Sequence, residues 1–105
     1  MQALVQEIQP TELDHTDEKF QIIDVREIPE ISMGKIETAH PMPLASMPMR
    51  MSELKTDKKI VIVCRSGARS AQACMFLQKN GFDNVYNLRG GMMGWVRADK
   101  PLTTG

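Results

Sequence analysis

A buried strand that leads directly into a cysteine loop is the feature that most constrains this chain. Residues Lys59 to Cys64 form a β-branched run that is apolar on both faces, as expected of a strand covered on both sides. A loop reading Cys-Arg-Ser-Gly-Ala-Arg-Ser begins at Cys64, and a helical pattern runs from Ala68 to Lys79 before Asn80-Gly81 ends it. The sequence therefore predicts a cysteine at the carboxyl end of a strand, beside the start of a helix.

Other segments predict an alternation of strands and helices. A second run apolar on both faces covers Phe20 to Val25, and the two strong strands are expected to be parallel neighbours. Weaker strands are predicted at Ala3 to Ile8, Asn84 to Leu88 and, as a short edge strand, Ala39 to Pro43. Further helices are predicted from Thr11 to about Asp14, with those two residues as a capping box, from Met49 to about Thr56, and around Trp95. We expect residues 1–105 to form a single α/β domain, with a roughly five-stranded parallel sheet and helices on both faces.

Composition excludes several classes of function. The 13 basic and 13 acidic residues balance, so no overall field favours nucleic acid or a membrane surface. No apolar run approaches the roughly 18 residues of a membrane span, and no secretion signal is visible, so we expect a cytoplasmic protein. Two cysteines without a CxxC pair predict neither a disulfide nor a zinc site.

The loop residues favour an activated thiol at Cys64. Amides of a helix's first turn, the helix dipole and the flanking Arg65 and Arg69 all favour the thiolate, which is the nucleophilic form. Gly67 gives the loop the freedom to turn successive N–H groups inward around an anion. The structural alternative is a buried cysteine before an ordinary helix, but a glycine loop with two arginines is not typical of inert buried cysteines.

Four blocks of the sequence together resemble the rhodanese-like sulfurtransferases. They are the loop Cys64 to Ser70; Ile23-Asp24-Val25-Arg26-Glu27 with Glu30; Gly34, Ile36 and Ala39 at the family's spacing; and Gly90-Gly91 followed by Trp95. The resemblance implies a small rhodanese-like fold in which Cys64 takes a sulfane sulfur as a persulfide, from thiosulfate or a similar small anionic donor. The sulfur would pass to cyanide or a thiol, and a protein acceptor is also compatible with the family.

The resemblance also assigns residues around the catalytic Cys64. Amides of the loop would stabilise the persulfide, and the arginines would attract the donor; the substrate-binding set is Arg65, Ser66, Gly67, Ala68, Arg69 and Ser70. No cofactor or metal is implied, and no general acid or base is needed because sulfite leaves already ionised. One block departs from the family: Gly34-Lys35-Ile36-Glu37-Thr38-Ala39 lacks the usual Pro-Gly turn, so we expect a locally different surface loop. Asp24 and Arg26 are expected to brace loops by ion pairing.

Two other functions compete with this interpretation. A cysteine phosphatase needs an arginine after five intervening residues, and here that position is Ser70, one residue beyond Arg69. The second alternative is a non-catalytic binding or regulatory module that docks through the methionine-rich segment 42–51. The simpler interpretation is that those methionines fill the core. His15 and His40 are expected to be isolated surface residues. Arg89 is expected to be either solvated or at the mouth of the site.

Overall fold

The computed structural model describes residues 4–104 and contains a five-stranded sheet that is parallel throughout. Its strands are β1 (Glu7–Ile8), β2 (Phe20–Asp24), β3 (His40–Pro41), β4 (Lys59–Val63) and β5 (Val85–Leu88). They lie in the order β1-β5-β4-β2-β3, and every pairing is parallel. The predicted pairing of the two strong strands is confirmed, with Asp24 beside Val63 at their carboxyl ends. The part of the predicted first strand at Ala3 lies outside the described residues.

Four helices and three 3-10 turns connect these strands. The helices are α1 (Ile28–Ser32), α2 (Met47–Arg50), α3 (Ala68–Lys79) and α4 (Gly91–Arg97), and the 3-10 turns cover Pro10–Glu12, Leu44–Ser46 and Met51–Glu53. The predictions of α3 and of a helix around Trp95 are confirmed. The predicted helix from Met49 to Thr56 begins two residues earlier and splits into α2 and a 3-10 turn.

The predicted helix from Thr11 to Asp14 is wrong. A 3-10 turn begins one residue earlier, because Pro10 occupies the first turn, where its missing N–H costs no hydrogen bond. The capping box is formed by Gln9 and Glu12, with the Gln9 N–H donating to Glu12 Oε1 at 2.8 Å. Asp14 instead accepts from the N–H and hydroxyl of Thr16.

Two apolar clusters cover the two faces of the sheet, as a parallel sheet requires. On one face Ala73, Cys74 and Leu77 of α3 pack with Met42 and Met47 against the sheet. On the other face Trp95 and Met92 of α4 pack with Leu13, Ile36 and Ala39. The predicted α/β fold with helices on both faces is confirmed, and both covering helices begin at the carboxyl edge of the sheet.

The methionine-rich segment divides between core and surface. Met42 and Met47 are fully buried, whereas Met49 is 90% exposed, so core filling accounts for part of the segment. The apolar pattern of α3 predicts that Met75 packs towards the sheet, but Met75 is exposed.

The expectation that His40 is isolated is wrong. His40 Nε2 lies 2.7 Å from Glu53 Oε1, and Arg50 also binds that carboxylate. Strand β3, which contains His40, and the 3-10 turn that contains Glu53 meet at the edge of the sheet. The two residues are far apart in sequence, so the local pattern does not indicate this contact.

Candidate active site

Cys64 lies at the carboxyl end of β4 in a loop that closes onto the first turn of α3. Its side chain is almost completely buried, and its sulfur accepts a hydrogen bond from the Gly67 N–H at 3.0 Å. The Ser70 hydroxyl lies 3.2 Å from the same sulfur. Gly67 adopts φ +108°, a left-handed conformation that turns its N–H towards the sulfur and that side chains rarely permit. The predicted cradle of loop donors is therefore present around Cys64.

These contacts favour the thiolate. Burial by itself would raise the pKa of Cys64, but hydrogen bonds from the Ser70 hydroxyl and from the N–H groups of Ser70, Gly67 and Ser66 outweigh it and lower the pKa below the ordinary value of 9.0. Cys64 is thus set up as a nucleophile at a lower pH than a free thiol.

The carbonyl groups of Cys64 and Arg65 bind the start of α4. The Met92 N–H donates to the Cys64 carbonyl at 2.8 Å, and the Met93 N–H donates to the Arg65 carbonyl at 3.0 Å. Gly91 has φ +56°, and a Cβ at this position would clash with the Cys64 carbonyl and the Arg65 backbone. The second glycine of the Gly90-Gly91 pair therefore permits the close approach of α4 to the loop.

The two loop arginines have different surroundings. Arg65 is exposed, and no residue within 4–104 forms an ion pair with it. Arg69 donates to both oxygens of Glu30, at 2.6 and 2.8 Å, and this pairing lowers the pKa of Glu30 to about 2 and raises that of Arg69. Of the two predicted donor-binding cations, Arg65 is exposed and carries no ion pair within residues 4–104, whereas Arg69 is partly exposed and its ion pair joins the loop to α1.

Asp24 and Arg26 brace the site from behind, as predicted. Arg26 forms a buried ion pair with Asp24 at 2.8 Å and donates to the carbonyls of Gly34 and Glu30. It thereby binds the middle of α1 and the segment that follows it, and α1 is the helix that carries the Glu30 carboxylate to Arg69. The altered block 34–39 begins at this anchor, and Lys35 pairs with Thr103 near the chain's carboxyl end.

The remaining predicted site residues divide between the surface and the interior of the loop. Ser66 and Ala68 are exposed, Gly67 is half-buried, and Ser70 is fully buried with its hydroxyl towards Cys64. Ser70 occupies the position where a phosphatase would need an arginine.

Sequence reasoning missed Asn87 of β5. Its amide accepts from the Ser70 hydroxyl and donates to the Gly67 carbonyl at 3.1 Å. A buried asparagine between Tyr86 and Leu88, in a strand where asparagine is disfavoured, was the available signal.

Cys74 is buried in the same apolar cluster as Cys64, and both are free thiols. Burial and the nearby Cys64 raise the pKa of Cys74 to about 12. The rise of about 1.5 Å per helical residue suggests a gap of roughly 15 Å over ten positions. The distance between the two thiols is shorter than this rise suggests, because α3 packs back against β4.

Among residues 4–104, no cluster of three or more His, Cys, Asp or Glu side chains could hold a metal ion. Over the same range, no helix is both long and apolar enough to cross a membrane.

Comparisons with known proteins point to one family. The Rhodanese-like domain family matches residues 9–98. A sulfurtransferase from Allochromatium vinosum is 46% identical over 81 residues, which cover 77% of this chain and 76% of that protein. A putative sulfurtransferase from Bacillus subtilis is 42% identical over 85 residues, covering 81% of this chain and 82% of that protein.

A solved structure gives the same result for the fold. The crystal structure of a rhodanese-related protein from Thermoplasma volcanium superposes with a TM-score of 0.87 at 28% identity, covering 95% of this chain and 99% of that one. The relatives support sulfur transfer as the general chemistry. The chain belongs to the rhodanese-like domain family.

Proposed function

We propose that the protein is a sulfurtransferase in which Cys64 carries the sulfur as a persulfide, with thiosulfate or a similar small anion as the donor. The observation that carries the proposal is the Cys64 sulfur itself, which accepts a hydrogen bond from the Gly67 N–H and lies 3.2 Å from the Ser70 hydroxyl, in a loop without a general acid or base. A soft thiolate in an anion cradle suits attack on a sulfane sulfur.

The first half-reaction needs only this thiolate. The Cys64 thiolate attacks the outer sulfur of thiosulfate, a bond forms between the two sulfurs, and the bond to the sulfite group breaks, so that sulfite leaves with the electron pair. The resulting persulfide anion carries one negative charge, which the inward N–H groups of the loop stabilise. Arg65, exposed and unpaired within residues 4–104, attracts the incoming dianion.

The second half-reaction returns the enzyme to its starting state. Cyanide or a thiolate attacks the terminal sulfur of the persulfide, and the Cys64 thiolate leaves. Because the loop lies beyond the carboxyl end of the central strand β4 and exposes Arg65, Ser66 and Ala68, a protein thiol is also a candidate acceptor. We propose that this occurs in the reducing cytoplasm, where both free cysteines stay reduced.

Mass spectrometry of the intact protein tests the proposal. After thiosulfate treatment and removal of excess donor, the wild-type chain should gain the mass of one sulfur atom, and cyanide should remove it as thiocyanate. Cys74→Ala is the matched control, because it removes the other thiol and should gain the same mass. The proposal is wrong if Cys64→Ser gains the sulfur, or if wild type gains none. A protein that binds a partner without forming a persulfide would instead support the binding-module alternative.

A further inference from the structure

The Ser70 hydroxyl can donate one hydrogen bond, and it lies between two groups that can each accept it. The hydroxyl is fully buried, 3.2 Å from the Cys64 sulfur on one side, and donates to Asn87 Oδ1 on the other. Asn87 Oδ1 can only accept a hydrogen bond, whereas the sulfur can donate as a thiol or accept as a thiolate. The protonation state of Cys64 therefore decides which way the Ser70 proton must point.

The orientation of the Asn87 amide follows from its other contact. Its Nδ2 donates to the Gly67 carbonyl at 3.1 Å, and reversing the amide would place two acceptors against each other. Asn87 is 5% exposed, so water does not readily replace either partner. One amide thus holds both the Ser70 hydroxyl and the residue whose N–H binds the sulfur.

We infer that Asn87 is a positioning residue for sulfur transfer, which holds the Ser70 proton while Cys64 is a thiol and releases it to the sulfur when Cys64 is a thiolate or persulfide. In the thiol state, S–H donates to Ser70 Oγ and Ser70 donates to Asn87. When the thiol loses its proton to solvent, a Ser70 lone pair would face a negative sulfur. The hydroxyl then rotates, and its O–H donates to the sulfur. The inference rests on the sulfur transfer proposed above.

The arrangement gives the sulfur one fixed donor and one movable donor. The Gly67 N–H is fixed by the backbone, whereas the Ser70 O–H can follow the charge as it appears and disappears through the cycle. Asn87 keeps the hydroxyl proton satisfied in the uncharged state, which avoids an unpaired buried donor.

A double-mutant cycle between Asn87 and Ser70 tests the inference. The measurement is the pH midpoint of Cys64 ionisation, followed by the ultraviolet absorbance of the thiolate as a difference from the matching Cys64→Ser protein. Ser70→Ala should raise the midpoint, and Ser70→Thr, which keeps the hydroxyl, should restore it. Because ionisation requires no sulfur donor, this experiment can succeed or fail independently of the proposed function.

Asn87→Ala distinguishes positioning from simple support. With Ser70 present, the substitution removes the competing acceptor and frees the hydroxyl for the sulfur; in the Ser70→Ala background there is no hydroxyl to free. Asn87→Ala should therefore move the midpoint further towards low pH with Ser70 present than in the Ser70→Ala background. The difference between the two shifts should be about 0.5 pH unit or more, which is about threefold in the ionisation constant. Equal shifts in the two backgrounds, or a difference of the opposite sign, would overturn the inference.

Asn87→Asp keeps the size of the side chain and leaves no cavity, and the repulsion between its second oxygen and the Gly67 carbonyl is the same in both backgrounds. Its carboxylate is a stronger acceptor for the Ser70 proton, so it should raise the midpoint more with Ser70 present than in the Ser70→Ala background. A rise of equal size in both backgrounds would mean that only the added charge acts, which also contradicts the inference.

Discussion

The guanidinium group of Arg69 binds both carboxylate oxygens of Glu30, 39 residues earlier in the chain, and so ties the first turn of α3 to α1. This contact couples the loop that contains Cys64 to the helix that Arg26 anchors. The carboxylate also offsets the charge of Arg69, which leaves Arg65 as the exposed cation of the loop.

Loss of this pair should make the protein less stable at neutral pH and less sensitive to acid. The pKa of Glu30 is lowered from 4.5 to about 2, so the stability it contributes is complete above about pH 4.5 and is lost as pH falls towards 2. Glu30→Gln should lower the free energy of unfolding by about 1 kcal/mol or less, since the pair is partly exposed. In urea titrations, the difference from wild type should shrink below pH 4.5; a constant difference would contradict this, and the exposed Glu18→Gln is the control.

The thiol of Cys64 should ionise below pH 9.0 in the folded chain only. A lowered folded pKa means that the free energy of unfolding rises with pH between that pKa and 9.0, and this gain is lost as pH falls through the folded pKa. Rates of alkylation by iodoacetamide against pH should show a lower midpoint for native protein than for protein in urea. Coincident midpoints would show that the loop donors do not activate the thiol.

Arg65 should determine the affinity for an anionic donor. Arg65→Gln removes an exposed charge beside the loop, and we expect the KM for thiosulfate to rise about fivefold, equivalent to about 1 kcal/mol, with a smaller change in kcat. The control is Lys59→Gln, which removes a positive charge at the amino end of β4, the strand that leads into the Cys64 loop. If both variants raise KM equally, the effect comes from net charge and not from the position of Arg65.

Cys74 should be dispensable for transfer but useful for stability. Cys74→Ala removes a fully buried side chain and should cost about 1 kcal/mol, while thiocyanate production stays near that of wild type. Because the folded pKa is raised to about 12, the neutral thiol stabilises the fold below pH 9.0, and this contribution is lost as pH rises towards 12. A loss of turnover as deep as that of Cys64→Ser would show that Cys74 relays sulfur.

Gly91→Ala should damage both stability and transfer. The new Cβ would meet the Cys64 carbonyl and the Arg65 backbone, and overpacking of this kind costs about 1–3 kcal/mol. Gly81→Ala is the matched control, because Gly81 also has a positive φ, of +91°, but has open space around its Cβ position. Similar losses of thermal stability in the two variants would mean that backbone strain, and not the clash, matters.

The sequence predicts the parts of this fold that rest on local pattern. Strands β2 and β4 and the whole of α3 follow from apolar runs and from the Asn80-Gly81 stop. Helix α1 was missed because its five residues are too few for a periodic pattern, although Pro29 and the Glu27 and Glu30 pair mark its first turn.

The site was only partly predictable for a similar reason. The loop from Cys64 to Ser70 is continuous in sequence, so its donors could be expected to surround the sulfur. The Asn87 amide reaches the same loop from a strand 17 residues beyond Ser70, and that contact depends on how β5 and α3 pack together. No local pattern encodes such a register.

The opposite orientation of N–H and carbonyl groups in the catalytic loop has a consequence for how this protein can diverge. Backbone N–H groups face Cys64, and the carbonyls of Cys64 and Arg65 bind the start of α4, so the thiol activation comes from the buried Ser70 hydroxyl and from main-chain atoms. The exposed side chains of Arg65, Ser66 and Ala68 contribute little to that activation. Substitutions at these three positions can therefore suit another donor or acceptor with little effect on the reactivity of the Cys64 sulfur.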